Sequence, residues 1–311
     1  MPFKTLTSPR PVLTMDGHVC ASAKLHDPSL VAMLSTDPVK LVIHPTGGGT
    51  TRTTGVSLSS ADEVALLSRE VAVVRSGDEI WALQNLSHNA VMDQVGRDAR
   101  QLCMRAAGQG ALVVHWDGRA TELKMGNNEV IERPFALRGT VRTCDVGPTE
   151  TYVVVDGTDG GELRAHPGST PEAGATARTA LPREAKEFDR LRGGKDLSAV
   201  FKRGKSSVCI VRRAGNALTA KMIELEGPPL DLMVIETSLL ATFADGSFTL
   251  YDNDSLGNAS PTPQPTSTVR LPARGEARTV TFTGKSVPTA WIGTSSGEVV
   301  QVTVVRKAPS I

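Results

Sequence analysis

Leu239-Leu240-Ala241-Thr242-Phe243-Ala244-Asp245-Gly246-Ser247-Phe248-Thr249-Leu250-Tyr251-Asp252 is the stretch whose reading decides the fold. An apolar run leads into Ala-Asp-Gly, and a second run follows in which large apolar residues alternate with Ser and Thr. Asp and Gly tolerate the positive φ of a tight hairpin turn, so the stretch reads as two antiparallel strands and a turn. A lone hairpin is marginal in water and has to pack against something.

It packs against copies of itself. The same pattern recurs at 30–43, 71–83, 111–125, 152–165, 208–221 and 290–302, giving seven hairpins with the one at 239–252. With Asp37, Asp78, Gly118, Asp159, Gly215, Gly246 and Ser296 as turn markers, the spacings are 41, 40, 41, 56, 31 and 50 residues. Their mean is near 43, the period of four-stranded propeller blades. The unequal later spacings read as an insertion before the fifth hairpin, a trimmed blade after it, and an insertion before the seventh. A short strand precedes each hairpin, at 19–24, 63–67, 100–105, 140–145, 197–201, 231–235 and 278–282. Several hairpins are followed by a fourth strand, as at 51–58, 91–95, 129–135 and 268–271. Blade five has little room for one between Met222 and Gly227. The last blade stops at its third strand, and a spare strand stands before Gly17. The expected fold class is therefore all-β: a seven-bladed β-propeller over 1–311, closed by an N-terminal strand that completes the last blade and removes two sheet edges.

The chain of 311 residues carries 34 Lys+Arg against 33 Asp+Glu, a formal charge of +1, which argues against a dedicated nucleic-acid binder. The first ten residues hold no apolar core of a signal peptide, and no run reaches the roughly 18–20 apolar residues of a membrane helix. Cys20, Cys103, Cys144 and Cys209 form no CxxC pair and read as reduced core thiols, so a nuclear or cytoplasmic protein is expected.

The hairpins resemble WD40 repeats across nearly the whole chain. The resemblance rests on 244–252, where the family has a DG turn and a strand ending in Trp-Asp, on Gly293-Thr294-Ser295-Ser296-Gly297-Glu298-Val299, and on Ser76-Gly77-Asp78-Glu79-Ile80-Trp81. The family's Gly-His pair occurs once, as Gly17-His18, and most of its Asp/His/Ser/Trp tetrad is missing. In size and closure the chain is similar to small stand-alone propellers of the mitotic checkpoint and mRNA export. The resemblance implies a non-enzymatic scaffold that binds a segment of another protein within a larger complex.

One segment stands out electrically. Residues 182–196 start with Pro182 and end in Gly193-Gly194, which predicts a short helix inserted between blades four and five. From 183 to 213 there are ten basic and four acidic residues, a local charge of +6 that leaves −5 for the rest. Arg183, Lys186, Arg190, Arg192, Arg212 and Arg213 are the expected partner-binding residues, placed on one face and suited to an acidic or phosphorylated segment. RNA is the weaker version, because only Phe188 and Phe201 stand there to stack bases.

Chemistry is sparse. The six histidines have no metal-ligand spacing, and Gly47-Gly48-Gly49-Thr50-Thr51-Arg52 lacks the Lys-Ser/Thr ending of a phosphate loop. The predicted inner strands carry mostly small and apolar residues, with Asp145 and Asp231 as exceptions, which suggests a packed or narrow channel. No catalytic residue, cofactor or metal is expected. The alternative, a hydrolase or lyase working in the channel, requires converging acids or histidines there. Loops 167–175 and 253–267 read as polar spacers, and Thr170, Ser260 and Thr262 each precede Pro, as proline-directed phosphorylation requires.

Overall fold

Seven antiparallel sheets surround a central axis, six of them built from four consecutive strands and the seventh from the last three strands and the first two. The computed structural model describes residues 3–24, 29–104, 110–126, 129–135, 137–147, 149–167, 174–258, 260–271, 275–283 and 288–307.

Two strands, β1 (Phe3–Leu6) and β2 (Arg10–Thr14), precede the first blade. Blade one is β3 (His18–Lys24), β4 (Leu30–Thr36), β5 (Lys40–Pro45) and β6 (Arg52–Gly55). Blade two is β7 (Glu63–Leu66), β8 (Val71–Ser76), β9 (Glu79–Gln84) and β10 (Val91–Gly96). Blade three is β11 (Ala99–Met104), β12 (Ala111–His115), β13 (Ala120–Met125) and β14 (Val130–Pro134). Blade four is β15 (Val141–Val146), β16 (Glu150–Val155), β17 (Glu162–Pro167) and β18 (Ala177–Ala180). Blade five is β19 (Arg190–Gly193), β20 (Leu197–Phe201), β21 (Ser207–Ala214) and β22 (Ala217–Glu224). Blade six is β23 (Pro229–Ile235), β24 (Ser238–Phe243), β25 (Ser247–Tyr251) and β26 (Ser267–Arg270), with a short helix α1 (Asn253–Gly257) before its last strand. Blade seven is β27 (Ala277–Thr283), β28 (Thr289–Thr294) and β29 (Glu298–Lys307).

The closure matches the expectation from sequence. Both β1 and β2 pair antiparallel with β29 and supply the fourth strand of blade seven in two pieces. The ladder is fastened by Thr7 N donating to Thr303 O at 2.9 Å and Thr303 N donating to Thr7 Oγ1 at 3.0 Å.

Burial falls from the middle of a blade outward. In blade six β24 is buried throughout, whereas β26 alternates half-buried and exposed. The turn Asp245-Gly246 works as its sequence implies. Gly246 takes φ +75°, and Asp245 Oδ1 accepts from Ser247 N at 3.0 Å. Apolar packing is divided among the seams between blades. One cluster joins blades one and two through Leu34, Leu41, Leu66 and Leu83, another joins blades four and five through Tyr152, Leu163, Leu191 and Val200, and the remaining seams are filled alike.

Blade five departs from the sequence reading. Residues 182–196 are not an inserted helix. Arg183–Glu187 make one 3-10 turn, the chain extends at Phe188 (φ −76°, ψ 122°), and Arg190–Gly193 form the inner strand of the blade. The strand at 197–201 is therefore second, not first, and the hairpin at 208–221 joins the third and fourth strands. The outer strand, for which the sequence reading leaves little room after Met222, is β22 itself. With Gly204 as marker in place of Gly215, blade five lies 45 residues after Asp159 and 42 before Gly246, so neither an insertion nor a trimmed blade is needed.

The two glycines that resembled a helix stop have a packing role. A Cβ on Gly193 would stand 2.7 Å from Tyr152 Cδ2, and one on Gly194 would stand 2.5 Å from Val234 Cγ1. Blades four and six press on this strand from both sides. Phe188 and Leu191 are both buried in the seam against blade four.

The mouth of the central channel

In this topology the turns between second and third strands and the connections between blades share one face, here the upper one. The turns after first and third strands share the lower face. The inner strands line the axis, and their polar side chains reach from one blade to the backbone of the next. Glu63 Oε2 accepts from Leu102 N at 2.6 Å. Gln101 brackets Cys144, donating to its carbonyl at 3.1 Å and accepting from its amide at 3.3 Å. Asp145 Oδ2 accepts from Gly193 N at 2.8 Å. Arg192 Nε donates to Leu232 O at 3.0 Å. Ser22 and Thr279 join their hydroxyls at 2.8 Å across the closing seam. Apart from the Ser22–Thr279 pair, these bonds satisfy backbone groups on the axis-facing edge of the inner strands, where no further strand pairs with them.

The wall is charged, which corrects the expectation of small and apolar residues there. Arg190 Nη1 donates to Glu63 Oε1 at 3.3 Å, spanning the channel from blade five to blade two. Glu63 also takes Arg75 Nε at 2.8 Å. Arg192 Nη2 donates to Asp231 Oδ1 at 2.7 Å. Burial works against the Arg192 charge, but Asp231 and Asp145 outweigh it and hold the guanidinium above its ordinary pKa. Burial pushes the Asp145 carboxyl up, with Arg192 and the Gly193 amide opposing.

Arg203 stands above this network, on the upper turn between β20 and β21. It is open to solvent and hydrogen-bonds to no acid among the described residues. Yet enough protein surrounds its guanidinium that desolvation lowers its pKa, with Asp231 and Glu63 opposing and Arg190 and Arg192 adding to the effect. The mouth thus offers one uncommitted guanidinium beside a second, Arg190, whose bond to Glu63 is long.

The six expected binding residues separate into three places. Arg183 and Lys186 lie exposed on the upper 3-10 turn. Arg190 and Arg192 line the channel. Arg212 and Arg213 lie at the lower end of β21, which corrects their placement on the face of Arg183. There Arg212 holds Asn253 of blade six, donating to its Oδ1 at 2.6 Å and its carbonyl at 3.0 Å. Arg213 pairs with the half-buried Glu150 of blade four, which also accepts from the Tyr152 hydroxyl at 3.2 Å. These two arginines clamp blade five to its neighbours. Within the same run, Lys202 and Lys205 pair with Glu187 at 3.6 and 2.9 Å on the upper face.

Phe188 and Phe201 are 1% and 0% exposed, so neither can stack on a base. Among the described residues Trp116 is the exposed aromatic, 66% accessible on the upper turn of blade three. Sequence reading missed Arg203 because the slipped phase of blade five took 197–201 for its inner strand, and it passed over Glu63, which stands at the start of a correctly placed inner strand at 63–67. The even spacing restored by Gly204 was the signal that could have found Arg203; for Glu63 the signal was an acidic residue opening a predicted inner strand.

Among the described residues no cluster of three or more His, Cys, Asp or Glu could hold a metal ion. No helix among them is long and apolar enough to cross a membrane.

No protein-family model matches the sequence, and no curated protein aligns with it. Among solved structures it is similar to the WD40 domain of Pan2 from Neurospora crassa, with 9% sequence identity, a TM-score of 0.61, and coverage of 95% of this chain and 90% of that one. At such identity the likeness concerns the fold, a WD40-type propeller with seven blades.

Proposed function

We propose that this WD40-type propeller is a protein-interaction scaffold whose channel mouth receives an acidic or phosphorylated segment of a partner. The fold is one that commonly mediates protein–protein contact, and a rigid ring presents its loops without an ordering cost. The observation that carries the reading is Arg203, which forms no ion pair with an acid among the described residues and is set beside Arg190 over a polar channel. Arginine forks suit carboxylate and phosphate oxygens. Arg183 and Lys186 extend the positive rim along the connection from blade four. Trp116, on the same face, supplies the kind of aromatic anchor that concentrates binding energy at interfaces.

The test is binding of a degenerate phosphoserine peptide library and its unphosphorylated counterpart to the purified chain. Wild type should retain acidic or phosphorylated sequences, Arg203→Glu should lose them at least tenfold, and Arg212→Glu should keep them if still folded. Equal retention by wild type and Arg203→Glu removes the mouth as the site. A checkpoint, nuclear-pore or RNA-processing complex would each suit such a scaffold, and partner capture from the protein's own cells decides among them.

A further inference from the structure

The loop between α1 and β26 carries two Ser/Thr-Pro steps, Ser260-Pro261 and Thr262-Pro263. The fold treats them differently. Ser260 and Pro261 are both exposed, whereas Thr262 is exposed and Pro263 is buried. Proline-directed protein kinases seat the proline after the acceptor in a pocket of their own. Pro261 is open to that pocket and Pro263 is not. Ser8-Pro9 is a third such step, but Pro9 is half-buried and its flanks are the paired strands β1 and β2. Thr170-Pro171 lies outside the described residues.

The surroundings of Ser260 add a receptor. The loop crosses from blade six to the outer strand of blade five, where Glu224 N donates to Pro261 O at 2.8 Å. Lys221 Nζ donates to the carbonyls of Asn258 and Ser260, the latter at 3.4 Å. Its bonds are thus to neutral oxygens, and it pairs with no carboxylate among the described residues. Thr262 N already donates to Ser260 Oγ at 3.2 Å, a bond that a phosphate oxygen can take over.

We propose that Ser260 is a phosphoacceptor for a proline-directed kinase, and that its phosphate is received by Lys221. The Ser260 hydroxyl attacks the γ-phosphorus of ATP and its proton passes to the kinase's base. The Oγ–P bond forms, the bond to the β–γ bridging oxygen breaks, and ADP leaves. The new dianion meets a cation held on the outer strand of the next blade, so modification tightens the clasp between blades five and six.

The experiment phosphorylates the full chain and a free 256–266 peptide with a cyclin-dependent kinase and ATP, and maps the sites by mass spectrometry. The peptide should accept phosphate at both Ser260 and Thr262, and the folded chain at Ser260 alone, with none in this loop of Ser260→Ala. A folded chain left unmodified at Ser260 while the peptide is modified overturns the acceptor assignment. Phosphorus NMR then follows the second ionisation of phosphoserine 260. It should titrate lower in wild type than in Lys221→Met, by roughly 0.3 unit, the size of an exposed ion pair. Identical titration in the two proteins overturns the role of Lys221.

Discussion

Arg190 and Glu63 meet across the central channel at 3.3 Å although 127 residues separate them in the chain. The contact ties blade five to blade two, which share no seam. Glu63 is the hub, because Arg75 and the Leu102 amide depend on the same carboxylate. Removing the hub orphans more than removing one spoke. Glu63→Ala should cost about 2–4 kcal/mol, in the range for breaking a largely buried pair. Arg190→Ala, whose side chain is 31% exposed, should cost under about 1 kcal/mol. Urea unfolding monitored by tryptophan fluorescence measures both, and equal costs would contradict the hub arrangement.

The clamps of the lower face make an opposite forecast to those of the upper one. Arg213→Ala leaves the Glu150 carboxylate half-buried without its cation and should lower stability by about 1–3 kcal/mol. Arg183→Ala, exposed and unpaired among the described residues, should change stability by less than about 0.5 kcal/mol. A thermal melt of each variant distinguishes structural from presented arginines.

Gly193→Ala and Gly194→Ala discriminate between the two readings of 182–196. As the end of a solvated helix, either change would be nearly neutral. Squeezed between Tyr152 and Val234, each should cost about 1–3 kcal/mol through overpacking. Unchanged denaturation midpoints would restore the helix.

Asp145 couples stability to pH. Burial raises its folded pKa above the unfolded value of 3.8. The folded chain therefore binds this proton more tightly than the unfolded chain does. The contribution is fully present below pH 3.8 and is lost as pH rises through the folded pKa. Asp145→Asn cannot ionise and keeps an acceptor for the Gly193 amide. Its Tm relative to wild type should climb from about pH 3 to about pH 7. A difference that stays flat across this window would rule out a raised carboxyl.

The fold was legible because blades repeat. Alternating strands and Gly or Asp turns recur at a nearly fixed interval, and six of the seven inner strands follow from the hairpins alone. Blade five was obscured by local chemistry. Pro182 followed by Arg-Glu-Ala-Lys-Glu has genuine turn-forming character, and Arg183–Glu187 do wind once. Tertiary burial of Phe188 and Leu191 then pulls the chain into a strand, a force no local propensity records. The site was harder, because a run of charge along the sequence says nothing of direction. Successive strands carried one basic run to the upper face, into the channel and to the lower face.

The two-piece strand that closes the ring sets the order in which the molecule can be completed. Phe3–Leu6 is synthesised before any blade, yet its partner Val304–Lys307 is synthesised after all of them. Between Thr7 and Thr303 lies a span of 296 residues, so this pairing encloses almost the whole chain. Non-local pairing of this kind is intrinsically slow, since the entropy of ordering the span comes before its reward. Until that moment the nascent chain carries an unmatched sheet edge at each end. The step that gives the finished ring its permanence is thus also the interval in which two half-made copies can pair with each other.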